Sequence, residues 1–238
     1  MIISIIQPCF VPWLGYFEQI VLADVFVYLD DVKYTKQDWR NNNQVKSSYG
    51  VGKIFVPVKK TYEETLINQV MISYNEKWEQ RLLNQLNANY CKACFYDEVI
   101  EMIKSIILNN YERLIDLNYN LNNAILQYLG IKTQIHFSSS IPKTTYDKNF
   151  RLLEICRNFE NVNVFYDGKK AQNFIETGLF EQNGISVVFQ DYQHKPYQQL
   201  WGDFVPYMSI LDLLMNHGKD SLKYIVTSSI ERKPRNSY

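Results

Sequence analysis

Apolar and polar positions along this chain change period several times. Met1 to Ile6 is an apolar run, and Asp24 to Leu29 is a second, too apolar for an exposed strand. Short continuous apolar runs bounded by polar turns read as strands buried on both faces, the usual state of parallel strands. Between them, Phe17 to Ala23 has helical character. Lys53 to Val58 and Asn68 to Ser73 read as further strands, joined as a hairpin across Lys59–Ile67. The period then turns helical. Trp78, Leu82, Leu83 and Leu86 form one stripe, Val99, Ile100, Ile103, Ile106 and Ile107 a second, and Leu114, Leu117, Leu121, Ile125 and Leu129 a third. Gly130 is a good terminator for the last of these.

After Gly130 the short apolar runs return. Strands are expected at Gln134–Phe137, Val162–Tyr166 and Ile185–Phe189, with helices at Asp147–Phe159 and Ala171–Phe180 between them. Strands alternating with helices predict an α/β fold with a mainly parallel, Rossmann-like sheet, interrupted by a helical insert in the middle of the chain. Residues 1–238 read as a single α/β unit with a helical subdomain at about 76–130. A final amphipathic helix follows Ser209, a possible cap. Asp212 inside its apolar run must be paired or lie at a site edge. The tail from Glu231 to Tyr238 is polar and expected to fray.

Composition narrows the function classes. With 25 cationic and 25 anionic side chains the formal charge is zero, which argues against general nucleic-acid binding. Basic pairs at Lys59-Lys60, Lys169-Lys170 and Arg232-Lys233 are short enough to be solvated surface. The start lacks a basic region and a cleavage site, and no apolar stretch reaches membrane-spanning length, so a cytoplasmic protein with no membrane span is expected. The 4 cysteines read as reduced thiols there. Cys91 and Cys94 have C-x-x-C spacing without a second pair. His136, His194 and His217 show no metal-ligand spacing, so no metal site is expected. No cofactor motif is present.

Candidate chemistry gathers at the ends of the expected strands. Gln7 to Phe17 follows the first strand and opens a helix, with Pro8 and Pro12 fixing the loop and Gly15 allowing close approach. Such a turn aims backbone N–H groups at a ligand crevice. Asp30 and Asp31 end the second strand, where they can bind a cation, accept hydroxyl hydrogen bonds, or simply terminate the strand. The segment Lys33 to Asn43, with Trp39, Arg40 and Asn43, mixes cations, amides and aromatics as polar-substrate sites do, and fits a solvated loop equally well. Ser138 and Ser139 can bind phosphate or form an ordinary turn. Gly168 and Lys169 offer close approach and a cation. His194 has the ionisation range for a general base, and as a loop histidine without a partner it can equally be inert. Cys9 is a candidate thiolate nucleophile, with no histidine near it in sequence.

Several of these residues carry a resemblance. Gln7-Pro8, Pro12-Trp13-Leu14-Gly15-Tyr16-Phe17, Ala23-Asp24, Leu29-Asp30-Asp31-Val32 and Trp39 before an Asn cluster resemble the opening of the WbqC-like family. The likeness continues at Val56-Pro57-Val58, Trp78, Tyr90 to Phe95, Phe137-Ser138-Ser139, Phe165 to Gly168, Phe189 to Tyr192, Tyr197-Gln198 and Met208 to Asp212, and so covers nearly the whole chain. One departure is Asn42, where the family pattern is expected to carry Arg; either Arg40 or Lys46 supplies that charge, or an anionic contact is lost. A fainter likeness is to the nucleotidylyltransferase-like group, whose His-x-Gly-His spacing is filled here by Trp13-Leu14-Gly15-Tyr16. Both histidines are aromatic in this chain, which argues against adenylyl transfer at this site.

The first resemblance implies a protein of bacterial surface-polysaccharide (O-antigen) clusters. It implies transfer of an aminoacyl group such as glycyl, or another acyl group, to an amino sugar or sugar nucleotide. On that reading His194, Asp30 and Asp31 are catalytic. Substrate contacts fall to Gln7, Trp13, Gly15, Tyr16, Trp39, Arg40, Asn43, Ser138, Ser139, Gly168, Lys169, Tyr197 and Gln198. The alternative is a non-catalytic module that binds a sugar nucleotide or organises other enzymes of the same pathway.

Overall fold

The structure is a computed structural model that describes residues 1–228; the polar tail from Glu231 and the Arg232-Lys233 pair lie outside the described residues. In chain order the elements are β1 (Ile2–Ile6), α1 (Leu14–Leu22), β2 (Val25–Tyr28), β3 (Asn42–Ser47), β4 (Gly50–Phe55), α2 (Trp78–Tyr90), α3 (Tyr96–Ile107), α4 (Leu114–Tyr128), β5 (Gln134–Phe137), α5 (Lys148–Arg157), β6 (Val164–Asp167), α6 (Thr177–Glu181), β7 (Ser186–Phe189), α7 (Ile210–His217) and α8 (Leu222–Ile225).

The two apolar runs at the start of the chain become neighbouring strands in the middle of a five-stranded sheet of order β5-β2-β1-β6-β7. Every pairing in it is parallel. Each face of β1 and β2 meets a different layer, which is why these runs lack alternation. Ile3, Ile5, Val25 and Val27 pack with Leu152, Leu153 and Phe180 from α5 and α6. Phe26 and Tyr28 pack on the other side against Tyr16, Phe17 and Ile20 of α1. Complete burial of each such side chain contributes about 1.5–3 kcal/mol.

The three helical stripes form α2, α3 and α4. Their inward residues, from Trp78 to Leu129, join α1, the β3–β4 hairpin and α7 in one contiguous apolar core. Among the described residues no helix is long and apolar enough to cross a membrane.

The expected hairpin forms between different partners. β4 pairs antiparallel with β3, Asn42 opposite Phe55 and Ser47 opposite Gly50. The stretch read as its second strand instead holds a short helical turn at Ile67–Gln69 and isolated bridges, Val58 with Ile72 and Met71 with Arg113. Asn and Lys are depleted in strands, so Asn42–Ser47 reads as loop from composition. It is a strand because the chain turns back at Gly50, whose φ of 108° suits glycine, and because Val45 and Ile54 are buried in the core. α1 begins at Leu14, three residues earlier than its apolar pattern. Ala171–Phe180 is not one helix: a tight turn at Lys169–Asn173 precedes α6. Asp147 caps α5 through Asn149 and Phe150, and Ser209 caps α7 through Leu211.

Candidate functional site

All five strands run the same way, so the loops that follow β1, β2, β5, β6 and β7 share one edge of the sheet. β1 has β2 on one side and β6 on the other, and the strand order reverses between β1 and β6. In open parallel sheets the ligand crevice opens at the carboxyl ends of the strands at such a reversal.

The loop from Gln7 to Trp13 crosses this edge, and other elements hold its carbonyls. The Asn43 amide donates to the carbonyls of Phe10 and Val11 at 3.0 and 2.9 Å. Ser209 Oγ donates to Val11 at 2.7 Å, Asn122 to Cys9 at 3.1 Å and the Tyr16 hydroxyl to Gln7 at 3.1 Å. Val11 has a φ of 34°, strained for a β-branched residue and maintained by this clamp. Trp13 lies over Gly15 so closely that a Cβ there would fall 2.2 Å from indole Cη2. The glycine is required by the tryptophan.

Arg40 reaches into the loop. Its guanidinium bonds Gln7 Oε1 and the Asp38 carboxylate. Lys46 instead bonds the carbonyls of Gly202 and Asp203, so Arg40 is the cation that meets the β1 loop. Asn42 donates to the Asp38 carbonyl at 2.7 Å. Beneath the loop lie buried polar atoms without hydrogen-bond partners: Arg40 Nε, Asn118 Oδ1 and Asn122 Oδ1. The amide orientations follow from their donations to the carbonyls of Arg40 and Cys9. Asn118 and Asn122 are one helical turn apart on α4, inside its apolar stripe. That spacing of two amides was the available sequence signal for them. Cys9 does not have the depressed pKa expected of a helix N-terminal thiol. Burial pushes it up to about 12, against the nearby Arg40 charge, which makes it a poor nucleophile near neutral pH.

Asp30 and Asp31 form a second group with the serines after β5. Asp30 is buried and accepts from Ser139 N at 2.9 Å, Ser138 Oγ at 3.0 Å and Ser139 Oγ at 2.7 Å. Asp31 pairs with Lys143 at 2.9 Å and Arg151 at 2.6 Å. Burial works against its charge, but the hydrogen bonds of Ser138, Lys143 and Arg151 together with the Arg151 charge hold its pKa below the usual range.

A third group occupies the reversal point. Lys169 is exposed and pairs with Asp191 at 2.8 Å. Next to Gly168, Asp167 ends β6, accepts from Gly168 N at 2.6 Å, and is pushed by burial up to about 7. The strand-end motif contains Asp167, yet only burial distinguishes it from an ordinary turn acid, and burial is invisible in sequence. His194 lies against Trp13, Tyr192 and Tyr207, with ring centroids 5.5, 4.9 and 4.3 Å away. Neither ring nitrogen has a hydrogen-bond partner, and burial lowers the imidazole pKa. Tyr197 is buried away from this group; its hydroxyl donates to Asp212 at 2.8 Å, and Asp212 also accepts from Tyr90 at 2.7 Å. Asp212 is therefore paired, as its position required. Gln198 is exposed, and its carbonyl meets His217 Nε2 at 3.0 Å.

Most of the candidates thus form three groups along one edge: Gln7 with Arg40, Asp30 and Asp31 with Ser138 and Ser139, and Trp13 with Gly15 and His194 beside the Gly168-Lys169 turn; Tyr197 and Gln198 bond elsewhere, to Asp212 and His217. Among the described residues no hydrogen bond or ion pair joins His194 to either acid. No three His, Cys, Asp or Glu side chains among them group as a metal site.

Comparison with known proteins agrees with the motifs. The family model of the WbqC-like protein family matches residues 7–224. The chain is 34% identical over 226 residues to the uncharacterized protein Rv1507c of Mycobacterium tuberculosis, covering 94% of this chain and 96% of that protein. No solved structure matches.

Proposed function

The chain belongs to the WbqC-like protein family, and from that premise we propose that it acts in surface-polysaccharide biosynthesis, transferring an aminoacyl or acyl group to an amino sugar or its nucleotide-linked form. The observation that carries this reading is the strand order, which sets the Gln7 loop and the Gly168-Lys169 turn on either side of the reversal point. Substrates of this class are polar and anionic, and that edge offers the pinned loop around Trp13 and two cations, Arg40 and Lys169, that an anion would draw from their pairs with Asp38 and Asp191.

Acyl transfer to an amine requires that the amine lose a proton. His194 is the candidate for this role, because burial favours its neutral form and no other group competes for its ring nitrogens; both nitrogens are covered by Trp13, Tyr192 and Tyr207, so the role requires these rings to part for the amine. Asp30 and Asp31 act in this reading as positioning residues that fix the loops after β2 and β5, since their oxygens are already engaged.

The second reading is a non-catalytic module that binds a sugar nucleotide or organises pathway enzymes. It is favoured by one observation: among the described residues His194 makes no hydrogen bond or ion pair with Asp30 or Asp31.

Thermal melting with UDP- and dTDP-linked amino sugars, followed by mass spectrometry with aminoacyl and acyl donors, separates the two. A ligand at one hundred times its Kd stabilises by about 2.7 kcal/mol. Under the transferase reading, product forms and His194→Gln lowers its rate by roughly 100-fold or more while the ligand-induced shift persists. A shift without product under every donor supports the sugar-nucleotide-binding module, and no shift with any sugar nucleotide overturns the transferase on nucleotide-linked sugars and leaves the module that organises pathway enzymes.

A further inference from the structure

Beside the Arg40–Gln7 contact, between residues 37–39 and the β3–β4 hairpin, lies a recess of about 250 Å3 lined by Gln37, Asp38, Trp39, Asn42, Gln44 and Lys53. Its backbone is fixed. The Trp39 carbonyl accepts from Phe10 N at 2.9 Å, and its N–H donates to Asp38 Oδ1 at 2.6 Å. Gln44 accepts from Ser209 N at 2.8 Å through its carbonyl. Gln37 holds a φ of 56° at the head of the loop.

Asp38 and Asn42 are engaged there, by Arg40, Trp39 N and the Asp38 carbonyl, whereas the other four lining side chains are uncommitted. The Trp39 indole is 43% exposed although its backbone is pinned on both sides. Among the described residues the indole N–H, the Gln37 and Gln44 amides and the Lys53 ammonium make no hydrogen bond or ion pair. The Asp38 carboxylate is balanced by Arg40, while Lys53 has no acidic partner there. The recess therefore presents one flat apolar face, several neutral donors and acceptors, and one unbalanced positive charge.

We propose that this recess binds a single pyranose unit carrying an anionic substituent. The flat indole takes the apolar C–H face of the ring. The amides and the indole N–H meet hydroxyls, and Lys53 takes the phosphate or carboxylate. Drug-sized pockets span roughly 300–1,000 Å3, so this volume suits one sugar rather than a whole nucleotide sugar. The inference rests on the proposed function for its biological meaning, because it gives the sugar portion of that substrate a seat one residue from Arg40. Its physical content stands on the recess alone.

Saturation-transfer NMR on the full chain with glucose 1-phosphate, glucuronate and glucose tests it. One or both anionic sugars should bind more tightly than glucose, and comparing them shows whether phosphate or carboxylate is preferred. Trp39→Ala should weaken binding at least tenfold while the chain keeps a cooperative melting transition, since the indole is partly exposed. Lys53→Met should bring the anionic sugars down to the level of glucose, and Gln44→Ala should weaken all that bind. Equal binding of the three sugars, or none, overturns the inference, as does binding that survives Trp39→Ala. Sugar-nucleotide binding that persists in Trp39→Ala but fails in Lys169→Ala moves the sugar elsewhere and leaves the proposed function standing. Anionic-sugar binding in the recess with no sugar nucleotide bound has the opposite meaning.

Discussion

Asp167 is half-buried, and one backbone N–H, from Gly168, and the Lys148 charge only partly offset its desolvation. Its folded pKa of about 7 lies above the roughly 3.9 of an unfolded aspartate. The folded state therefore holds more protons than the unfolded state between those values. The sign follows: the cost of ionising Asp167 is absent below about pH 4, grows as pH rises through that window, and is complete above about 7. Asp167→Asn should be close to neutral in stability at pH 4 and stabilise by on the order of 2 kcal/mol at pH 8, after a discount for the side chain's partial exposure. Urea unfolding of both proteins at the two pH values measures this. An equal difference at both would show that Asp167 ionises freely.

At the scale of elements, the entry to α1 depends on a tryptophan folded over a glycine. Gly15→Ala should cost about 1–3 kcal/mol, because the Trp13 indole must leave its place. In a Trp13→Ala background the same change should turn favourable by up to about 1 kcal/mol, the ordinary preference of a helix for Ala over Gly. A double-mutant cycle on melting curves gives the coupling, and additive effects would show that the ring does not rest there. This contact also explains what was hidden in the sequence. The apolar pattern of α1 begins at Phe17 because Gly15 carries no hydrophobic signal. β3 was hidden for a related reason: its buried Asn43 belongs to a loop more than thirty residues earlier, and its polarity masks its burial. The parallel strands were legible because burial on both faces leaves unbroken apolar runs. At the site, the strand-end acids were legible as Asp30 and Asp31, whereas their engagement by Ser138, 108 residues from Asp30, was not. His194 was legible as a histidine in a polar segment, but its aromatic surroundings come from Trp13 and Tyr207, which no local pattern connects to it.

For the molecule as a whole, Glu18 ties the two ends of the described chain together. Buried within α1, it accepts from Thr227 N at 2.6 Å, Thr227 Oγ at 2.9 Å, Ser228 N at 2.8 Å, Gln190 Nε2 at 2.7 Å and Tyr166 OH at 3.3 Å. Glu18→Gln replaces one acceptor oxygen with a donor facing donors, and should cost about 2–4 kcal/mol in urea unfolding. Loss of less than about 0.5 kcal/mol would mean that the carboxylate is not the tie. The central position of β1 has a consequence for synthesis. β1 is the middle strand of the sheet, and the register partner of its Ile2 is Val164, which is synthesised far later. At about 5–20 residues per second, one apolar edge of the newborn chain waits roughly 8–30 s for its neighbour. Any product cut short before β6 would keep that edge open, so prematurely ended chains are expected to aggregate more readily than the full chain.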